Sequence, residues 1–331
     1  MDFFTNSLAG IAISRAGFSK VSPRSALLLF FSINISDIDY LASLRGPLAR
    51  LEQHGGYTHS LLALPFLPVF CVTLVSIMFR ERLPWWRAWL LACLGVTLHL
   101  LGDAITDYGV RLMLPFSSRW VHLDVSPQLD PWILTILACA IFWPHFSKLV
   151  SGEIGAKITT GQGSAWLGLF AVIVFEITRA LTHQQAISQM ETRLFDGAAP
   201  LQLAAMPEAG NPLRWTGIVE TQDSFRKLPV GMLSTFDSEA GQKFFKLPET
   251  AAIRAAKTTE AFHYFLYFSR FPVWTVEPIL LASGEGTRLQ LTDLRYGNPA
   301  GNTLASFALE DAAGKILKSW FTFQSADAAE P

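Results

Sequence analysis

The sequence predicts an all-α multi-pass membrane domain followed by a small α+β extramembrane domain of mainly antiparallel strands. Three observations carry this. Half of the 331 residues are hydrophobic and only 16% are charged, against about a quarter in an average soluble protein. Uncharged runs recur at 25–36, 61–79, 88–98, 132–144 and 165–175, and no run of spanning length follows residue 185. Beyond that point, short alternating runs are punctuated by Gly and Pro, as in strands. The predicted domains are 1–185 and 186–331.

The first element is a short helix over 3–16, with Leu8, Ile11 and Ala12 on one face. The 25–36 run closes on Asp37-Ile38-Asp39. The 61–79 run alone reaches the roughly 18 residues needed to span a bilayer, which predicts one continuous helix. Thr58 stands where it can cap a start near Ser60. The remaining runs are short or end in polar residues such as Asp103 and Glu176, as helices lining a watery cavity do. The 10 Trp and 25 Phe suit membrane interfaces.

Loop charge sets an orientation. Arg15, Lys20 and Arg24 precede the second segment; Arg80, Arg82 and Arg87 separate the 61–79 and 88–98 runs; Lys148 and Lys157 separate the last two. With these loops cytoplasmic, six helices place both termini outside. The second domain is then extracytoplasmic. It opens on a helical stretch through Met190 and Arg193. Strands are predicted at 214–220, 273–276, 288–291 and 320–323, with helix over 250–268.

A net charge of −1 gives no footprint for nucleic acid. The start, Met1-Asp2-Phe3-Phe4, has neither the basic region nor the cleavage site of a signal peptide, so the membrane segments themselves direct insertion. Cys71, Cys93 and Cys139 lie inside apolar runs and read as small hydrophobes. Phosphate loops, nucleophile elbows and the HExxH motif are absent from the sequence.

Ionisable groups at membrane depth are costly and mark function. Three clusters stand at segment ends. The first is Asp37 and Asp39, hard oxygen ligands one residue apart. The second is His54-Gly55-Gly56-Tyr57-Thr58-His59-Ser60, whose glycines permit a tight loop that aims two imidazoles at one point. The third is His99 and Asp103, one helical step of i, i+4 apart, with Asp107 one further step along the same face. Together they predict one metal site of Asp37, Asp39, His54, His59, His99 and Asp103. One or two divalent ions, zinc by the donor types, would supply an acidified water as nucleophile. Asp107 is the candidate base, Thr58 a second catalytic candidate and Arg119 an anion-binding one; Arg111 also falls on the outer side. His122 with Asp124, His145, Glu176, His183 and His263 lack partners at such spacing and read as structural.

These motifs resemble the YdjM-like family of inner-membrane proteins, described as membrane-bound metal-dependent hydrolases. The resemblance rests on Ser36-Asp37-Ile38-Asp39, on His54 through Ser60, and on His99 through Asp107 with Gly109 and Pro115. It covers roughly residues 1–120. The later part is similar to longer members through Asn211-Pro212-Leu213-Arg214-Trp215 and Asp293-Leu294-Arg295-Tyr296. The family is distantly similar to zinc phospholipase C and related zinc nucleases. The resemblance therefore implies hydrolysis of phosphoester or lipid-related substrates at an inner membrane, with membrane lipid as a partner.

Three positions depart from the family pattern. Asn6 stands where a His is expected, Ser36 replaces a Pro, and Gly55 replaces an Arg. A neutral amide binds zinc less well than imidazole, so Asn6→His is expected to raise metal occupancy. Gly55 removes a cation able to bind an anionic substrate. The competing expectation is a non-enzymatic membrane scaffold or binding protein with a structural or degraded metal site.

Overall fold

The computed structural model describes residues 1–154, 161–281, 284–301 and 304–323; side chains of 147–154 are not among them. Lys157 and the side chain of Lys148 therefore lie outside the described residues. Two units emerge. The first comprises Met1–Asp39, His54–His183 and Pro207–Leu213; the second comprises Tyr40–Gln53, Gln184–Met206 and Arg214–Pro331.

In chain order the helices are α1 (Phe3–Arg15), α2 (Ser25–Asn34), α3 (Pro47–Gln53), α4 (Leu67–Phe79), α5 (Trp85–Ala104), α6 (Pro131–Ile154), α7 (Gln162–Glu191), α8 (Ala251–Lys257) and α9 (Glu260–Phe268). A 3-10 helix, Ile35–Arg45, continues directly from α2. Asp2 caps α1, its carboxylate accepting from the N–H groups of Phe4 and Thr5.

In the first unit, α2 packs on α1, α4 and α5, and α1 packs on α6. A Cβ at Gly95 would lie 3.0 Å from Ser32 Cβ and 3.1 Å from the backbone nitrogen of Ile33, so only glycine lets α5 approach α2 this closely. That approach fixes the helix carrying His99 against the one leading to Asp37. Leu28, Leu29, Cys71, Val72, Val75, Leu91 and Ala92 fill the space between α2, α4 and α5. Leu169, Val172 and Phe175 of α7 cover Ala12, Ile133, Leu137 and Ile141.

One expectation is corrected. The 61–79 run is not a single helix: residues 61–66 form turns, and α4 starts at Leu67 with Pro68 in its first turn. Prolines 65 and 68 supply no N–H, and the Leu61 N–H donates to Leu112 O instead. At 13 residues α4 measures about 20 Å, short of the ~30 Å hydrocarbon core. Among the described residues, Ser25–Arg45 and Gln162–Glu191 are long and apolar enough to cross a membrane, and Leu67–Phe79 and Pro131–Phe146 are shorter apolar helices. On α7, Trp166, Leu167, Phe170, Ile173, Val174, Ile177 and Leu181 are 44% to 69% exposed. A face of that kind is stable in water only if something apolar covers it.

Arg179 and Asp130, each 1% exposed, pair at 3.2 Å, and Arg179 Nε donates to Val125 O. Ser126 donates to both oxygens of Glu176 at 2.8 and 2.9 Å. Glu176 thus has a partner that its sequence neighbours did not reveal.

The second unit holds two four-stranded antiparallel sheets. One is β1 (Gln202–Pro207), β2 (Arg214–Glu220), β3 (Ser224–Gly231) and β4 (Gln242–Phe245); the other is β5 (Pro272–Leu281), β6 (Gly284–Asp293), β7 (Ala305–Asp311) and β8 (Ile316–Thr322). Each sheet runs in chain order, so short hairpins suffice. Trp215 pairs with Val230, and both join Met190 and Phe195 in a core against the first sheet. Phe225, Phe271, Val273 and Leu294 form another core. Helix α9 lies on β7 and β8, and α3 on β8. The strands expected at 214–220, 273–276 and 288–291 lie in β2, β5 and β6, the one expected at 320–323 runs to Thr322 in β8, and 250–268 is divided between α8 and α9.

Candidate metal centre

Asp37 and Asp39 lie on the 3-10 helix that follows α2. At about three residues per turn, residues two apart point in directions about 120° apart. One short sequence therefore serves two places. His59 closes a 3-10 turn, Tyr57–His59, reached through Gly55 at φ +67°. His99 and Asp103 lie one turn apart on α5.

These elements converge. His59 Nε2 and His99 Nε2 are 3.0 Å apart. Asp103 Oδ2 lies 3.2 Å from each, and Asp37 Oδ1 lies 3.7 Å from each. Donors held about 2.0–2.2 Å from one tetrahedral ion stand roughly 3.3–3.6 Å from one another. The observed separations bracket that range. Both imidazoles are fully buried, and Asp103 is 7% exposed. Asp37, His59 and His99 offer zinc-type donor atoms that all lie within 4.8 Å of one another, so these residues fit a divalent ion.

A further layer surrounds this group. Asp39 Oδ2 lies 3.0 Å from His59 Nδ1 and accepts from the Thr58 hydroxyl at 2.9 Å. Asp39 Oδ1 lies 3.1 Å from His54 Nδ1. Asp39, His54 and His59 are thus close enough to form a second metal-holding group. Asn6, 2% exposed, places its amide nitrogen 3.1 Å from His99 Nδ1. The Met1 ammonium pairs with Asp103 Oδ1.

Burial alone would push the His59 imidazole down. Hydrogen bonds to Asp103, Asp37 and Asp39 outweigh it and hold the ring well above its ordinary value. A metal ion bound at Nε2 would compete with a proton for this ring. Zinc binding is expected to be accompanied by proton release, and occupancy is expected to fall as the medium is acidified. Titration of zinc into weakly buffered protein measures the release. Binding that does not weaken with acidification counts against imidazole ligands at this site.

The structure therefore brings together all six expected ligands, with Thr58 beside them. Thr58 is not a helix cap: its hydroxyl is on Asp39, and α4 starts seven residues past Ser60. Asp107 does not continue the face of His99 and Asp103, because α5 ends at Ala104. The carbonyls of Ala104 and Ile105 accept from Leu123, Val125 and Ser126, which draws the chain out of the helix. Arg119 is exposed in the following loop, and its N–H donates to Ser117 Oγ.

Arg111 is the cation the structure places beside the histidine loop. Its backbone N–H donates to Gly55 O at 2.9 Å, and its Nε lies 3.4 Å from the same oxygen. Its guanidinium stacks 4.9 Å from the Trp120 ring, which reaches Tyr108 and through it His54. A Cβ at Gly55 would meet Trp120 at 3.1 Å, so the left-handed turn and the indole together exclude a long side chain there. No local signal marked Tyr108 or Trp120, since both arrive by long-range packing. Asn6 carried one, a lone amide in an apolar helix.

The sequence model of an inner membrane protein family, YdjM, matches residues 1–186. The uncharacterized protein YfhP of Bacillus subtilis (strain 168) is similar, at 24% identity over 266 residues, which covers 78% of this chain and 73% of the relative. No solved structure matches the chain.

Proposed function

The chain belongs to the YdjM inner membrane protein family, and from that premise we propose a membrane-embedded, metal-dependent hydrolase of phosphoester or lipid-related substrates. The observation that carries this reading is the convergence of Asp37, His59 and His99, whose donor atoms all lie within 4.8 Å of one another, with Asp103 Oδ2 3.2 Å from both imidazole nitrogens. A divalent ion, zinc by preference, supplies there a Lewis acid and an acidified water. The chain's own residues hold the donors, and Asp39, His54 and Thr58 back them. Arg111 supplies positive charge near the loop, as recognition of an anionic group requires.

Chelation is expected to abolish hydrolysis of bis(4-nitrophenyl) phosphate by the purified detergent-solubilised protein, and zinc to restore it. Metal bound without any zinc-dependent phosphodiester, monoester or lipid hydrolysis would instead favour a structural ion.

The membrane reading takes α1, α2, α4, α5, α6 and α7 as a multi-pass bundle in the inner membrane, with the second unit extracytoplasmic. Its support is the loop charge and the exposed apolar face of α7. Tyr57, 61% exposed, reports on the metal side, and Arg82 on the other. A membrane-impermeant maleimide is expected to label Tyr57→Cys in intact cells and Arg82→Cys only after permeabilisation. The opposite pattern reverses the orientation.

A further inference from the structure

Two turn segments flank the histidine loop, and both carry apolar side chains outward. Residues 61–66 and 112–116 are turns rather than helix. The N–H groups of Ala63 and Phe66 donate to Ser60 O and Ala63 O, and that of Phe116 donates to Met113 O. The Arg111 N–H donates to Gly55 O and the Leu61 N–H to Leu112 O, each at 2.9 Å, so the two turns lie side by side. Ser60 alone separates Leu61 from His59.

Leu61, Leu62, Phe66, Met113 and Phe116 are 48% to 83% exposed. A scattered surface leucine needs no explanation, whereas apolar side chains gathered on one surface mark a binding face. No acidic residue, Lys or Arg lies between His59 and Arg80, or between Arg111 and Arg119. The partner of this surface must therefore be apolar.

Three observations select lipid. The chain belongs to an inner membrane protein family. The first turn runs into the apolar helix α4, on which Phe70, Ile77 and Met78 are exposed as well. Arg119, exposed three residues beyond Phe116, adds a cation at the edge of the patch, which matches the phosphate of a lipid headgroup. Turn backbone is kept out of the lipid-exposed hydrocarbon core because its polar groups need partners there. The side chains alone then enter, at the boundary of headgroups and acyl chains, as those of interfacial anchors do.

We infer that these paired turns rest in the lipid leaflet on the metal side of the protein, and that the substrate is a headgroup ester of a membrane lipid reached from that leaflet, not a water-soluble phosphoester. The substrate clause rests on the hydrolase reading above; the lipid surface does not.

The test places a fluorophore on the second turn. Phe116→Cys, in full-length protein with Cys93 and Cys139 replaced by alanine, is labelled with an NBD maleimide; Cys71 is buried. The protein is checked for folding by circular dichroism and reconstituted into phosphatidylethanolamine–phosphatidylglycerol vesicles. Iodide on both sides of the bilayer quenches from water, and lipids brominated along the acyl chain quench from the leaflet. Quenching by brominated lipid with protection from iodide is expected. Quenching by iodide alone overturns the inference. Protection from both quenchers means that protein covers the turn, a second copy or another chain, and also overturns it.

The substrate clause is read separately, with Met113→Ser and Phe116→Ser combined. Hydrolysis of phosphatidylglycerol in vesicles is compared with that of bis(4-nitrophenyl) phosphate in solution. Turnover of the vesicle substrate is expected to fall about tenfold, the scale of one apolar side chain moved from hydrocarbon to water, while the soluble ester is cleaved as before. An equal fall on both, or wild-type hydrolysis of the soluble ester alone, overturns the clause. Wild-type protein that cleaves neither overturns the hydrolase reading and the clause with it, and the NBD quenching still decides the lipid surface.

Discussion

His99→Ala is expected to strip the purified protein of its metal and of any metal-dependent hydrolysis together. His99 Nε2 is one donor of the group it forms with Asp37 and His59, 3.0 Å from His59 Nε2 and 3.2 Å from Asp103 Oδ2. Alanine supplies no donor and leaves a hole the size of an imidazole in a fully buried position. Asp103 then loses the imidazole 3.2 Å from its carboxylate in a buried place. Loss of an outer partner costs metal sites about 10–100-fold in affinity. Loss of a ligand should exceed that, so metal content after dialysis should drop to background. Elemental analysis of wild-type and variant protein, each checked for folding by circular dichroism, measures it. Unchanged metal content would sink the site assignment.

The same residues show what the sequence could and could not disclose. His99 and Asp103 were legible as a pair because one helix carries both, and i, i+4 spacing places them on one face whatever else the chain does. Asp107 was misread by the same rule, since the helix stops at Ala104 where a distant segment takes its carbonyls. Asp37 and Asp39 were recognised as ligand-type residues. Their division between two faces was hidden, because it depends on the chain entering a 3-10 helix after Asn34. In the second unit, β2 was legible from its alternation and its buried Trp215. The four residues of β4 were not, because none of them is buried and no pattern separates them from a loop. Arg111 illustrates the remaining limit. Its distance from Gly55 along the chain is large, and only tertiary folding sets the guanidinium against that carbonyl.

The motif Asp293-Leu294-Arg295-Tyr296 stood out in the sequence, and the structure explains it as a buried corner. Asp293 is fully buried, and its carboxylate takes the N–H groups of Arg270 and Arg295 as well as the Arg295 guanidinium at 2.8 Å. Arg295 in turn donates to Phe268 O, which ties the end of α9 to the end of β6. Asp293→Ala removes the acceptor and leaves a buried guanidinium without its carboxylate. Breaking such a pair from one side costs about 3–5 kcal/mol. For a domain of this size each kcal/mol moves the midpoint by roughly 2–4 °C, so a fall of about 6–20 °C is expected in the unfolding of the second unit. The double variant Asp293→Asn with Arg295→Met tests the cause. It retains an oxygen for the turn and removes the unpaired charge, so it should recover a large part of the loss. Thermal unfolding of the full-length protein in detergent, followed by tryptophan fluorescence, compares the three. A double variant no more stable than Asp293→Ala would show that turn geometry, not the stranded charge, sets the cost.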